Sequence, residues 1–148
     1  MFKHVLLATD GSAASENAAQ LAVDLARTQG AKLTALYVVD PYPYLGIGEA
    51  NPMGFQAYMS AAHQHAGVAH GKVLDLCEKA GVEFHPRLVE DAAAAAGIAQ
   101  TARDVGADIV VVGSHGRTGV SRLMLGSVAA KVVAESPVPV LVARQKAA

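Results

Sequence analysis

Short apolar runs rich in β-branched residues alternate along this chain with longer stretches of helical period. Residues 3–9 (Lys3-His4-Val5-Leu6-Leu7-Ala8-Thr9), 32–39, 82–89, 108–112 and 138–143 read as strands. A run of that length between turn residues suits a strand buried on both faces. Between them, 14–29 repeats apolar residues at Ala18, Leu21, Ala22, Leu25 and Ala26. The longer stretch 55–80 places Ala62, Ala66, Ala69, Val73, Leu76 and Ala80 on one helical face. Segments 92–105, with Ala94, Ile98, Ala102 and Val105, and 128–134 complete the helices. Gly30, Gly81 and Gly106 stand where helices stop, Ser12 is placed to cap the first helix and Asp91 the third.

Strict alternation of strand and helix predicts an α/β fold, with one open five-stranded parallel sheet and helices on both faces. Pro86 lies inside the third strand, and Pro137 and Pro139 lie at the start of the last. Proline removes a ladder donor, so both strands belong at edges, consistent with the order 3-2-1-4-5. In that order strands 1 and 4 are neighbours whose crossovers leave toward opposite faces, and ligands bind at such a switch point. Asp10 lies just past strand 1 and Gly113 just past strand 4, so the topology sets them side by side.

Composition adds limits. With 148 residues, 52% hydrophobic and 17% charged, the chain reads as one globular domain over residues 1–148. A formal net charge of −1 advertises neither a nucleic-acid nor a membrane partner. No apolar run approaches membrane-spanning length, and the N-terminal run, stopping at Asp10, is too short for a signal peptide. Cys77 is the only cysteine, which excludes an internal disulfide and suits a reducing cytoplasm, with Cys77 as a small core residue. Residues 40–54 mix Pro41, Pro43 and Pro52 with Gly46, Gly48 and Gly54, and read as either a lid or a surface excursion. His63, His65 and His70 on the long helix invite a metal reading. His63 and His65 point to different faces, and His63 and His70 lie two turns, or about 10 Å, apart, so they read as solvated surface residues and no metal site is assigned.

The stretch from Gly113 to Ser127 carries the chemistry. It follows a buried strand, opens a helix, and contains His115, Arg117 and Arg122 but no carboxylate. Glycine lets a backbone approach a phosphate, and a helix start offers unpaired N–H groups and partial positive charge. Ser127 stands where an N-cap would stand. Neither the G-x-x-x-x-G-K-[ST] nor the G-x-G-x-x-G fingerprint can be laid on the stretch. A carboxylate at Asp10 facing this cradle has a nucleotide reading, with ribose hydroxyls on the acid and phosphates on the Gly113, Gly116, Gly126 and Ser127 backbone. The alternatives for Asp10 and Val39 are a turn residue and plain core packing.

The spacing Gly113-x2-Gly116-x9-Gly126-Ser127 resembles the G-2x-G-9x-G-[ST] signature of the ATP-binding branch of the universal stress protein family. Asp10-Gly11-Ser12, Tyr37-Val38-Val39 and Pro137-Val138-Pro139-Val140-Leu141-Val142 extend the likeness over roughly residues 2–144. Val89-Glu90-Asp91-Ala92 departs from the Gly-Asp-Pro-like turn common in that family. The resemblance implies an adenine nucleotide alpha hydrolase-like fold, with Ala8, Thr9 and Asp10 near ribose and adenine and Val39 meeting the adenine. Gly113, Gly116, Arg117, Gly126, Ser127 and Val128 would complete the nucleotide site. The expected ligand is ATP, with AMP and ADP as alternatives and Mg²⁺ arriving through the phosphates. A homodimer through the C-terminal strand is also implied.

Three functions stay open on the sequence. One is a cytoplasmic ATP-binding stress-response or regulatory module acting through nucleotide-dependent conformation or partner binding. A second is a slow ATPase or nucleotidyl-transfer enzyme, although no carboxylate is placed to hold Mg²⁺ and no catalytic residue is assigned. The third is a nucleotide-free dimeric scaffold or chaperone-like protein.

Overall fold

In the computed structural model, which describes residues 1–40, 52–90, 92–115 and 125–144, the β-branched runs form one sheet. Its strands are β1 (His4–Ala8), β2 (Lys32–Val39), β3 (Phe84–Glu90), β4 (Ile109–Gly113) and β5 (Val140–Ala143). All pair in parallel in the order β3-β2-β1-β4-β5. Helices α1 (Ala13–Gln29) and α2 (Pro52–Ala80) pack on one face, α3 (Ala94–Val105) and α4 (Ser127–Glu135) on the other. Side chains of β1 alternate between the two cores: Val5 and Leu7 join α1, while Leu6 joins α3 and α4. Leu6, Leu7, Leu33 and Leu36 are fully buried, each contributing roughly 1.5–3 kcal/mol by leaving water.

Pro86 sits in an edge strand and the register gives the reason, whereas Pro137 and Pro139, expected at the start of the last strand, precede the other edge strand, β5. Leu33 N donates to Glu83 O, so odd-numbered residues of β3 turn their main chain toward β2 and even-numbered ones turn outward. Pro86, opposite Ala35, is therefore missing a donor only on the free edge. At the other edge Pro139 O accepts from Val110 N and Ala143 O from Ser114 N.

Several local expectations are corrected. The buried stripe of α1 runs through Ser15, Ala18, Ala19, Ala22, Val23 and Ala26, and Leu21 is exposed. Leu21 lies about 100° round the helix from Ala22, enough to turn it off a narrow alanine seam. Helix α2 begins at Pro52 rather than 55. Helix α3 begins at Ala94 with Ala93 as its N-cap and no side-chain cap bond; Asp91, the expected cap, lies outside the described residues. Ser12 does cap α1, accepting from Ser15 N, and Gly30 and Gly106 end their helices in the left-handed conformation. Cys77 is fully buried on α2, which raises its thiol to about 11.

The histidines divide. His63 pairs with Glu90 at the surface. His70 is not a solvated residue: it meets the edge of the Phe84 ring, and burial holds its imidazole below the ordinary value. His4 is buried between Thr34 Oγ1 (2.6 Å from Nε2) and Val105 O (3.2 Å from Nδ1), and burial, then Lys32, lowers it as well. Both groups favour the neutral form in the fold, whereas the unfolded chain takes up protons below about pH 6.5. Their contribution is therefore complete above that pH and is lost as pH falls through the folded-state values. We expect the thermal midpoint to drop on acidification from pH 7.5 to 5. His4→Gln should flatten the slope, and an unchanged slope in differential scanning calorimetry would assign the effect elsewhere.

Candidate functional site at the carboxyl ends of the central strands

Where β1 and β4 end side by side, their chains depart to opposite faces and leave a crevice of about 560 Å³. Eight of the ten residues named from the sequence line it: Ala8, Thr9, Asp10, Val39, Gly113, Gly126, Ser127 and Val128. The other two, Gly116 and Arg117, lie outside the described residues, as do Ser121 and Arg122, most of the Pro/Gly/Tyr segment and the C-terminal tail.

The turn after β1 is built on Asp10. Its Oδ1 accepts from Ser12 N (2.9 Å) and Ser12 Oγ (2.6 Å). Ser12 in turn caps α1, so the carboxylate is held by the same turn that starts the helix. Gly11 is required there twice over: its φ is +76°, and a Cβ would lie 3.1 Å from Ala69 Cβ of α2. Thr9 is buried; its Oγ1 accepts from Gly11 N and lies 3.3 Å from Ser15 Oγ.

The base of the crevice is apolar and owes its form to strand parity. Lys32 N donates to Lys3 O on the β1 side, and Leu33 N donates to Glu83 O on the β3 side. Residues 34, 36 and 38 therefore turn toward β1, and 35, 37 and 39 toward β3. Pairing with β1 ends at Ala8–Leu36, followed by Thr9 N donating to Leu36 O. Val38 is next on that side, and its main-chain N–H and C=O face the crevice with no strand opposite. Val39 lines the site with its side chain, while its main chain belongs to the ladder with Glu90. Sequence reasoning chose Val39; the alternation of strand bonds, once register is known, adds Val38.

Helix α2 forms a wall through Tyr58, Ala61, Ala62 and His65, which sequence reasoning did not assign. Their spacing of three and four residues is the signal that was available. Tyr58 OH donates to Asp40 O (2.9 Å), tying the wall to the end of β2.

The start of α4 supplies the polar end. Gly126, not Ser127, is the N-cap, and Ser127 is the first helical residue. The first intrahelical bond runs from Ala130 N to Gly126 O, so the N–H groups of Ser127, Val128 and Ala129 have no partner within the helix. Gly126 N donates to Ser114 O at 2.8 Å, and a Cβ on Gly126 would stand 2.8 Å from the same oxygen. Its φ of −61° is ordinary, so glycine is needed here for space alone.

The whole chain can now be set against known proteins. The family model described as the universal stress protein family matches residues 1–144. A universal stress protein of Methanocaldococcus jannaschii is 32% identical over 145 residues, covering 98% of this chain and 84% of its own. The chain belongs to the universal stress protein family. Among solved family structures, UspA from Lactobacillus plantarum shares the fold with a TM-score of 0.83 at 24% identity, over 96% of this chain and 97% of that one. A universal stress protein in complex with cAMP superposes with a TM-score of 0.74 at 26% identity, over 98% of this chain and 99% of that one. The described residues contain no helix long and apolar enough to cross a membrane.

Proposed function

We propose that this family member binds adenine nucleotides, ATP among them, in the crevice and acts as a cytoplasmic stress-response or regulatory module whose nucleotide occupancy a partner reads. One observation carries the reading. Asp10, the outward-facing Val38 main chain and the α4 N–H groups that have no partner within the helix surround a single crevice of about 560 Å³. That volume lies within the range of small-molecule sites, with an apolar base slot and a few convergent polar groups. Adenine enters the slot between β2 and α2, its edge bonded by Val38 N–H and C=O and its face against Val39. The ribose hydroxyls donate to Asp10. The phosphates meet the helix start, with Gly113 beneath them and Gly116 and Arg117 completing the cradle as the family resemblance implies. The cAMP complex of a relative supports the class of ligand.

No group of three His, Cys, Asp or Glu side chains stands together among the described residues. In this reading Mg²⁺ arrives on the phosphates, and no catalytic residue is assigned. The experiment is calorimetric titration of the full chain with ATP, AMP and GTP. Binding of the two adenine nucleotides in preference to GTP is expected, and no binding of any would overturn the reading.

The same reading includes a homodimer through β5. Pro139 and Ala143 turn their carbonyls toward β4, so Val140 and Val142 direct their main chain to the free edge. Such an edge invites a second copy. Val142→Pro removes an outward donor and leaves the bonds to β4 intact. We expect wild-type protein to sediment as a dimer at micromolar concentration and the variant as a monomer. A monomeric wild type would refute the dimer.

A further inference from the structure

Two buried side-chain nitrogens among the described residues have no hydrogen-bond partner, His70 Nε2 and His115 Nε2. Only His115 belongs to the crevice. It is 6% exposed, and its other ring nitrogen, Nδ1, lies 3.1 Å from Ser114 Oγ. Ser114 is fixed from both sides, its N–H donating to Ala143 O and its carbonyl accepting from Gly126 N. We assign the Ser114 hydroxyl as the donor to Nδ1, which puts the ring proton on Nε2 as a donor without an acceptor. An unpaired buried donor forfeits its hydration, and native proteins retain such groups mainly where something else completes them. His115 lines the crevice, and its Cα would be 3.5 Å from a Cβ on Gly126, so its main chain packs against the N-cap of α4.

We infer that the Nε2–H of His115 donates to the first phosphate of the bound nucleotide, making His115 a phosphate-positioning residue beside the α4 N-terminus. The inference rests on the adenine-nucleotide reading and adds a side-chain donor to the backbone N–H groups at the start of α4. It also gives the two polar residues that follow β4 distinct tasks: Ser114 sets the tautomer and His115 delivers the donor.

The test compares AMP with adenosine, which lacks the phosphate, on full-length wild type, His115→Asn and His115→Gln. An Asn amide sits near the position of Nδ1 and cannot replace Nε2, whereas a Gln amide reaches the Nε2 position. His115→Asn should lose roughly tenfold to a hundredfold in AMP affinity, the range for a hydrogen bond to a charged group, and bind adenosine as wild type does. His115→Gln should recover most of the AMP affinity. In wild-type protein the ¹⁵N resonance of His115 Nε2 should move on addition of AMP and stay in place with adenosine, a readout independent of any variant's folding. Equal losses for AMP and adenosine, or a resonance indifferent to AMP, would overturn the inference while nucleotide binding stood. Wild-type protein that bound neither compound would overturn the nucleotide reading and this inference with it.

Discussion

Gly126→Val should bind AMP and ATP at least about a hundredfold more weakly than wild type. The reason is not that a side chain would touch the nucleotide. A Cβ at this position falls 2.8 Å from Ser114 O, closer than a carbon and a carbonyl oxygen can approach. The start of α4 must move away, breaking the bond from Gly126 N to Ser114 O and shifting the N–H groups of Ser127, Val128 and Ala129 together. Losing two charge-assisted bonds costs about 3 kcal/mol or more, which sets the hundredfold figure. Overpacking and a β-branched N-cap should also lower stability by roughly 1–3 kcal/mol. The sheet should survive, because Leu6, Leu36 and Val110 are buried against α3 as well as α4. Gly126→Ala makes the same clash with less bulk and should rank between the two. Calorimetric titration and far-ultraviolet circular dichroism on the three proteins test this. Wild-type affinity in a folded Gly126→Val would remove the α4 start from the phosphate site.

Asp10→Ala should weaken adenosine, AMP and ATP by the same factor, because all three carry the ribose assigned to the carboxylate. Hydrogen bonds to a charged acceptor set the loss at roughly 1.5–3 kcal/mol. Asp10 has a second task, since Oδ1 also accepts from the N–H and hydroxyl of Ser12. Alanine therefore loosens the turn that starts α1 as well as removing the ribose acceptor. Asp10→Asn separates the two effects: its amide oxygen can still accept from Ser12, but the negative charge is gone. If Asn binds ligand as poorly as Ala yet melts near wild type, the carboxylate acts on the ligand. If Asn restores both, Asp10 acts only through its turn. A loss confined to ATP would move Asp10 from the ribose to the phosphates.

The neighbourhood of these two residues is legible in the sequence. The apolar runs mark the five strands, and the prolines in or just before strands 3 and 5 put those two at the edges, consistent with the order the structure shows. That order places Asp10 beside Gly113 although about a hundred residues separate them. Periodicity is local chemistry, and chain topology converts it into proximity. Patterns carried by alanine were less decisive. Helix α1 buries Ala19 and Val23 where the stripe was drawn through Leu21, because small side chains leave the helix free to rotate by a fraction of a turn.

From the amino-acid sequence alone follow the α/β architecture, the two edge strands and the family's glycine spacing, which are consistent with the strand order that creates the switch point. All of these depend on which residue types succeed one another along the chain. Tertiary structure alone decided that Val38 turns its main chain into the crevice, since that depends on the parity of bonds to a neighbouring strand and on where that strand ends. It likewise decided that Gly126 is needed for its closeness to Ser114 O, and that one nitrogen of His115 is buried without a partner. Contacts of this kind are distances between segments that share no local pattern. They come into being only when the sheet closes and α4 comes to rest on the end of β4.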